Sequence, residues 1–279
     1  MQDISSVSQS PIGVFDSGVG GLTVVKEIMN QIPGESIVYF GDTARVPYGS
    51  KSKATITGYT RQIVKFLQAQ NVKAIVIACN TASAFALETV SAEIDIPMIG
   101  VIKPGAAMAA RTTKNGHIGV IGTEGTIQSR IYNEYLSATN PQVRVFGKAC
   151  PLFVPLVEEG WIDDPVTYEV VSRYISELMP FDIDTLVMGC THYPLLRNTI
   201  QRVVGDKVSL VNPALETAKS LKELLKEQGI LNEVGMPEHH FYVSDGAEKF
   251  RQFANSILPC EVVETKDVDI ESLADGTYR

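Results

Sequence analysis

Short apolar runs alternate along the chain with longer stretches in which apolar residues recur every three or four positions. The short runs are rich in β-branched and aromatic residues and predict strands, whereas the longer spacing, as in 22–32 and 56–67, predicts amphipathic helices. Such alternation indicates βα units, parallel sheets and an α/β fold. The predicted strands are 12–15, 36–40, 74–78, 117–121, 143–147, 184–188, 208–211 and 240–243.

One predicted strand runs into a cluster of polar side chains. The segment 75–83, IVIACNTAS, is apolar enough for a buried strand and then presents Cys79, Asn80, Thr81 and Ser83. In open α/β sheets, ligands bind beyond the carboxyl ends of the strands. We therefore expect this cluster to belong to a binding site.

The same pattern occurs a second time. Residues 75–83 align without gaps to 186–194, LVMGCTHYP, so that Cys79 corresponds to Cys190, 111 residues later. That separation is about the size of one α/β domain. The repeat predicts two similar lobes, each with a thiol at a strand end, and two facing lobes would hold one ligand between the thiols.

No low-complexity linker divides the chain, so the lobe boundaries are predicted from patterning alone. The stretch 97–110, rich in Pro and Gly, is the best candidate for the crossing from the first lobe to the second. The stretch around Asn212 and Pro213 is the best candidate for the return to the first lobe. We predict one lobe from 1–103 plus 213–279 and the other from 104–212.

Composition narrows the class of partner. The 279 residues carry a net charge of -8 and are 44% hydrophobic, with no long basic run, which disfavours a nucleic-acid surface. No window approaches 18 consecutive apolar residues, and the polar N-terminal segment lacks a signal-peptide core. We expect a cytoplasmic protein that binds a small molecule and neither nucleic acid nor a membrane.

The four cysteines are widely spaced and form no CxxC pair, and the four histidines show no metal-ligand spacing. This pattern predicts free thiols and no metal site. A single Cys among apolar residues is most often a small core hydrophobe. Cys150 follows a predicted strand but precedes Pro and Leu, and Cys260 is predicted at a strand beginning, so both are interpreted as structural.

Two facing thiols suit the inversion of a carbon that bears an acidic hydrogen. Inversion needs a base on one face and an acid on the other, and a thiol with a pKa of about 8.5 can serve in either form. Asp16, Glu158 and His192 are candidates to activate the thiols. Each has a structural alternative, because a strand-end Asp can cap a helix and a His can simply bond locally.

The glycine-rich stretch 16–23, DSGVGGLT, raises the possibility of a dinucleotide site. The G-x-G-x-x-G fingerprint fails because its last position is Thr23, although Asp42 could imitate the acid that binds ribose. The favoured interpretation is a tight turn whose amides and following helix hold a carboxylate. We expect no nucleotide cofactor.

Six motifs, taken together, resemble those of the glutamate racemase family, within the cofactor-independent amino-acid racemases. The resemblance runs in order from about residue 11 to beyond 250. The motifs are GVFDSGVGGLTV, YFGDTARVPYGSKS, ACNTASA, VIGTEGTIQS, CPLFVPLVEEG and GCTHYPLL.

The resemblance implies a pyridoxal-independent enzyme that interconverts L- and D-glutamate, the D-isomer being destined for peptidoglycan. It implies two pseudo-symmetric, doubly wound, Rossmann-like lobes with the active site in the cleft between them, and a homodimer. It assigns proton removal from D-glutamate to Cys79 and from L-glutamate to Cys190, supported by Asp16, Glu158 and His192. The implied substrate-holding positions are Asp16, Ser17, Tyr48, Gly49, Asn80, Thr81, Thr126 and Thr191.

Two alternatives stay open at this point. A racemase of the same superfamily could act on aspartate or another acidic amino acid through the same pair of thiols. A binding or regulatory protein on a two-lobed scaffold would bind a ligand without exchanging its α-hydrogen.

Overall fold

The computed structural model describes residues 4–275, and this part of the chain contains ten strands and thirteen α-helices. The strands are β1 (Ile12–Asp16), β2 (Ile37–Gly41), β3 (Ala74–Ile77), β4 (Met98–Gly100), β5 (His117–Gly122), β6 (Arg144–Ala149), β7 (Thr185–Gly189), β8 (Ser209–Val211), β9 (His239–Val243) and β10 (Lys266–Asp267). The helices are α1 (Ile4–Gln9), α2 (Leu22–Gln31), α3 (Lys53–Ala69), α4 (Asn80–Ser91), α5 (Ile102–Thr112), α6 (Glu124–Ser129), α7 (Ile131–Thr139), α8 (Phe153–Glu158), α9 (Pro165–Ser176), α10 (Arg197–Val204), α11 (Pro213–Glu227), α12 (Ala247–Ile257) and α13 (Ile270–Asp275). Short 3-10 helices lie at Thr43–Arg45, Tyr48–Ser50, Met179–Phe181 and Tyr193–Leu196.

The strands form two parallel sheets, which confirms the predicted α/β class. The first sheet has the order β10-β9-β2-β1-β3-β4, and the second has the order β6-β5-β7-β8. Every pairing in both sheets is parallel. The order β2-β1-β3-β4 in the first sheet is repeated as β6-β5-β7-β8 in the second, so the two lobes are pseudo-symmetric.

The strand order also marks where a ligand would bind. In each sheet the chain moves to one side of its first strand and then crosses to the other, between β1 and β3 and between β5 and β7. The crevice beyond such a switch point is where open α/β sheets bind ligands. Cys79 follows β3 and Cys190 follows β7, so both thiols lie at equivalent switch points.

The central strands and the helices form where the apolar pattern predicted them. β1, β2 and β3 are buried along their whole length, as expected of parallel strands covered on both faces. Helix α3 is capped by Ser52, whose side chain accepts a hydrogen bond from the Thr55 amide. Helix α11 begins after Asn212, which accepts from the Ala214 amide, and Pro213 occupies its first turn.

One apolar cluster joins the two sheets. It includes Val14 and Val76 from the first sheet and Val120 and Val187 from the second. Helices α2, α5 and α11 supply the layer between them, since α11 packs against both α2 and α5, and α5 packs against β7. No helix among residues 4–275 is both long and apolar enough to cross a bilayer.

Three details differ from the sequence prediction. β4 and β10, which are three and two residues long, were not predicted. Cys260 does not begin a strand, since the chain is irregular before β10 starts at Lys266. The predicted boundary at 103/104 falls inside α5, because Pro104 and Gly105 are accommodated in its first turn, and the division into lobes stays a prediction.

Candidate active site

A cavity of about 250 Å³ lies between the carboxyl ends of the two sheets. It is lined by residues from both: Asp16, Ser17 and Cys79 come from the first, and Glu158 and Cys190 come from the second. The full lining is Asp16, Ser17, Val46, Pro47, Tyr48, Gly49, Cys79, Asn80, Thr81, Thr123, Val154, Pro155, Glu158, Cys190, Thr191 and His192.

The first wall of the cavity presents the Cys79 thiol beside a carboxyl group. Cys79 is the residue before helix α4, and its Sγ donates to Ser17 Oγ at 3.6 Å. The Ser17 hydroxyl in turn lies 3.4 Å from Asp16 Oδ1. Asp16 ends β1 and is oriented by the Gly21 amide, which donates to its Oδ2 at 2.7 Å. The Gly21 amide of this turn therefore binds a carboxylate of the protein itself, and binding of a ligand carboxylate by the turn stays a prediction.

Burial and charge keep Cys79 protonated in this arrangement. Burial, followed by the nearby Asp16 carboxylate, raises the pKa of the Cys79 thiol far above its usual range. Burial also raises the pKa of Asp16, and this effect exceeds the opposing attraction of His192 and the hydrogen bond from Gly21. The first wall thus offers a thiol proton and a carboxylate that accepts protons more readily than an exposed one.

The opposite wall carries a chain of three side chains. Cys190 Sγ lies 3.8 Å from Nδ1 of His192, and His192 Nε2 lies 3.0 Å from Glu158 Oε1. Glu158 is the last residue of α8 and reaches the imidazole from the side away from the sulfur. Both ring nitrogens are therefore occupied, which fixes the orientation of the imidazole.

The chain of side chains makes His192 a cation. Burial lowers the pKa of His192, but the hydrogen bonds to Cys190 and Glu158 outweigh it and raise the pKa to about 10. The hydrogen bond from His192 in turn lowers the pKa of Glu158. A cationic imidazole attracts a thiolate, so this wall is suited to remove a proton.

A glycine allows the two walls to approach each other. A Cβ atom added at Gly20 would lie 2.4 Å from His192 Nδ1 and 2.6 Å from Thr191 Oγ1. The Gly20 turn and Thr191 are also tied together, because Thr23 Oγ1 donates to the Thr191 carbonyl at 2.9 Å. The glycine-rich turn of the first lobe therefore packs directly against the thiol-bearing segment of the second.

Hydroxyl and amide groups surround the space between the thiols. Thr81 Oγ1 is 2.8 Å from Thr123 Oγ1, and Asn80 accepts a hydrogen bond from the Tyr132 hydroxyl at 2.8 Å. Thr126 does not line the cavity: it is 1% exposed and lies behind the wall, 3.3 Å from Thr81 and 3.0 Å from Thr123. Direct substrate contact by Thr126 stays a prediction.

A buried carboxylate holds the loop that closes one side of the cavity. Asp42 is fully buried, its two oxygens share the N–H of Arg45 Nε, and it accepts a hydrogen bond from the Tyr48 hydroxyl. It also accepts from Ser244 Oγ at 2.9 Å. These partners occupy Asp42, so it does not take the ribose-binding role considered from the sequence. They instead fix Tyr48 and Gly49 at the cavity wall.

Eleven of the twelve predicted site residues line this cavity, and Thr126 is the exception. Cys150 and Cys260 lie outside it, and Cys150 is a buried thiol that donates to the Lys148 carbonyl. The sequence did not predict Val46, Pro47, Thr123, Val154 and Pro155. Thr123 is the first residue after β5, just as Ser17 is the first residue after β1. The internal repeat could therefore have indicated Thr123. Among the described residues, no group of three or more His, Cys, Asp or Glu side chains could hold a metal ion.

The fold and cavity define a two-lobed α/β protein with a pair of thiols at corresponding strand ends. The sequence model of the Asp/Glu/hydantoin racemase family matches residues 12–221. The chain belongs to this family.

Individual relatives match almost the whole chain. A glutamate racemase of Geobacter metallireducens is 48% identical over 262 residues, which cover 94% of this chain and 97% of that protein. The crystal structure of a glutamate racemase isoform from Bacillus anthracis superposes with a TM-score of 0.91 at 41% identity, covering 94% of this chain and 98% of that one. The glutamate racemase of Francisella tularensis, solved in complex with D-glutamate, gives a TM-score of 0.89 at 42% identity, with 95% and 99% covered.

Proposed function

We propose that this protein is a glutamate racemase that interconverts L- and D-glutamate with two cysteines. The observation that carries the proposal is the pair of thiols, one from each lobe, lining a single cavity, each with its own acid or base partner. The relatives at 41–48% identity bear the name of this activity, and one was solved with D-glutamate bound.

The geometry is suited to start from L-glutamate. The sulfur of Cys190, beside cationic His192, takes the α-proton and forms an S–H bond as the Cα–H bond breaks. The Cys79 thiol, which burial keeps protonated, gives its proton to the opposite face of Cα and becomes a thiolate. The product is D-glutamate, and one proton has entered and one has left the substrate.

The reverse direction needs the proton of Cys79 to move away first. Ser17 and Asp16 form a path from the sulfur, with successive separations of 3.6 Å and 3.4 Å. Because burial raises the pKa of Asp16, its carboxylate accepts that proton more readily than an exposed carboxylate. Cys79 then acts as the base toward D-glutamate, and Cys190 supplies the proton.

Substrate carboxylates would be held by neutral donors and by a helix terminus. No Lys or Arg lines the cavity among the described residues. Helix α4 is twelve residues long, begins at the cavity with Asn80 and Thr81, and has no side-chain cap on its first amides. These amides and the hydroxyls of Ser17, Thr81 and Thr191 can pair with carboxylates and stabilise the charge that develops when Cα is deprotonated.

A proton-exchange assay in heavy water tests the proposal. L-glutamate and D-glutamate are incubated separately with the enzyme in D₂O, and early product and recovered substrate are analysed by NMR and chiral chromatography. Product should carry deuterium at Cα from the first turnover, since the arriving hydrogen comes from the opposite, solvent-equilibrated thiol. Early product that retained the original α-hydrogen would overturn the two-cysteine mechanism.

Two further comparisons separate the alternatives. Aspartate assayed in parallel distinguishes a glutamate racemase from a related racemase with another acidic substrate. Glutamate binding without any α-hydrogen exchange would identify a binding protein and contradict the proposal. The homodimer, the independence from pyridoxal phosphate and the supply of D-glutamate to peptidoglycan remain predictions of the family resemblance. The cytoplasmic location remains a prediction from composition, and the lobe limits 1–103 plus 213–279 and 104–212 remain predictions from patterning.

A further inference from the structure

Tyr132 lies beneath both segments that carry the thiols. Its hydroxyl donates to Asn80 Oδ1 at 2.8 Å, and Asn80 directly follows Cys79. On the other side, a Cβ atom built on Gly189 would lie 3.3 Å from Cε2 of the Tyr132 ring, and Gly189 directly precedes Cys190. The tyrosine is 2% exposed and Asn80 is 4% exposed, so this contact is made in the interior.

We propose that Tyr132 is a positioning residue for the racemase site: it orients the Asn80 amide toward the substrate and supports both thiol-bearing segments. The proposal rests on the function proposed above. No sequence motif indicated this residue, because Tyr132 lies on α7, 52 residues from Asn80.

The hydrogen bond from Tyr132 orients the Asn80 amide. An Asn side chain has one oxygen that accepts and one nitrogen that donates. The oxygen of Asn80 is taken by Tyr132, and Asn80 also lines the cavity. With its oxygen held by Tyr132, the amide has its NH₂ group as the donor for a ligand, and an NH₂ group binds carboxylate oxygen.

Burial also keeps the Tyr132 hydroxyl a hydrogen-bond donor. Burial, with a smaller contribution from the charge of Cys190, raises the pKa of Tyr132, so its hydroxyl is a stable donor at neutral pH. The bond also connects the lobes, since α7 follows β5 of the second sheet and α4 follows β3 of the first. If the hydroxyl is removed, a buried acceptor loses its partner and the amide is free to rotate.

Tyr132→Phe isolates the hydroxyl, because the ring that faces Gly189 is kept. We expect KM for L-glutamate and for D-glutamate to rise together by about 10-fold, the effect of about 1.4 kcal/mol. The Kd for D-glutamate, measured by calorimetric titration, should rise by a similar factor. Unchanged KM and Kd would overturn the proposal.

A double-mutant cycle tests whether Tyr132 acts through Asn80. In the Asn80→Ala background, adding Tyr132→Phe should change KM by less than about 2-fold, because the shared interaction is already absent. A full 10-fold loss in that background would overturn the proposal. Tyr242→Phe is the control: this half-buried tyrosine of β9 contacts Gln70 at 3.5 Å, lies outside the cavity, and should leave KM unchanged.

A second variant covers the case in which Tyr132→Phe does not fold. Asn80→Asp keeps an oxygen for Tyr132 but replaces the NH₂ donor with another oxygen, so KM should rise by more than 10-fold with folding retained. Wild-type KM in a folded Asn80→Asp variant would overturn the assigned orientation. Failure of the wild-type enzyme to racemise glutamate would instead overturn the proposed function, and calorimetric titration would still report on Asn80.

Discussion

Replacing Gly20 with alanine should disable the Cys190 half of the site without touching either thiol. The added Cβ would lie 2.4 Å from His192 Nδ1 and 2.6 Å from its Cε1. Ordinary contacts of this kind begin near 3.4 Å, so the imidazole has to move by about 1 Å. The turn cannot easily retreat, since the Thr23 amide donates to the Gly20 carbonyl and the Thr23 hydroxyl donates to the Thr191 carbonyl.

The size of the effect follows from that displacement. A misplacement of about 1 Å near a reacting centre can lower a rate by about 100-fold, or about 2.7 kcal/mol in activation free energy. We therefore expect kcat to fall by about 100-fold, while the fold is retained because Gly20 has no left-handed backbone that an alanine would strain. The primary isotope effect with α-deuterated L-glutamate should increase more than that with D-glutamate, because in the proposed mechanism His192 serves the step begun by Cys190.

The assay is a circular-dichroism measurement of racemisation from each enantiomer, with labelled and unlabelled substrate. Gly58→Ala is the matched control, because a Cβ at Gly58 in helix α3 meets nothing within 4 Å. This control should keep full activity and gain about 0.5–1 kcal/mol of stability, as expected for Gly to Ala in a helix. A Gly20→Ala enzyme with wild-type kcat in both directions would refute the argument that Gly20 is needed for the position of His192.

Two further predictions concern the thiols and the imidazole. Cys79→Ala and Cys190→Ala should each abolish racemisation in both directions. Cys150→Ala, which removes a buried sulfur outside the cavity, should lower the free energy of unfolding by about 1 kcal/mol and leave the chemical step nearly unchanged in the same assay. A folded but inactive Cys150→Ala enzyme would contradict the assignment of the catalytic thiols. Because the pKa of His192 is raised from 6.5 to about 10, its contribution to the free energy of unfolding should be fully present below pH 6.5 and lost as the pH rises toward 10. The free energy of unfolding of the wild-type enzyme, measured with urea, should therefore decline between pH 6.5 and 10, and His192→Asn should remove this decline. If the two enzymes showed the same decline with pH, the raised pKa of His192 would be contradicted.

The amino-acid sequence by itself determined the repeating architecture and the two thiols. The alternation of apolar runs and amphipathic stretches is a local property, and it located eight strands to within one or two residues of their observed limits. The repeat around Cys79 and Cys190 identified equivalent strand ends before any contact was known. In both repeats an apolar run is followed directly by a cysteine and a cluster of polar side chains, which is why the site could be recognised there.

Only the tertiary structure decided which side chains act together. Glu158 reaches His192 from the end of α8, Thr126 lies behind the wall, and Tyr132 joins the two thiol-bearing segments. None of these contacts has a periodicity in the sequence, because each joins residues of different elements. The bond from Tyr132 to Asn80 also depends on how the two lobes pack together. The close approach of Gly20 to His192 is the sharpest example: a glycine in a turn has many explanations, and only the position of the opposite lobe identifies this one.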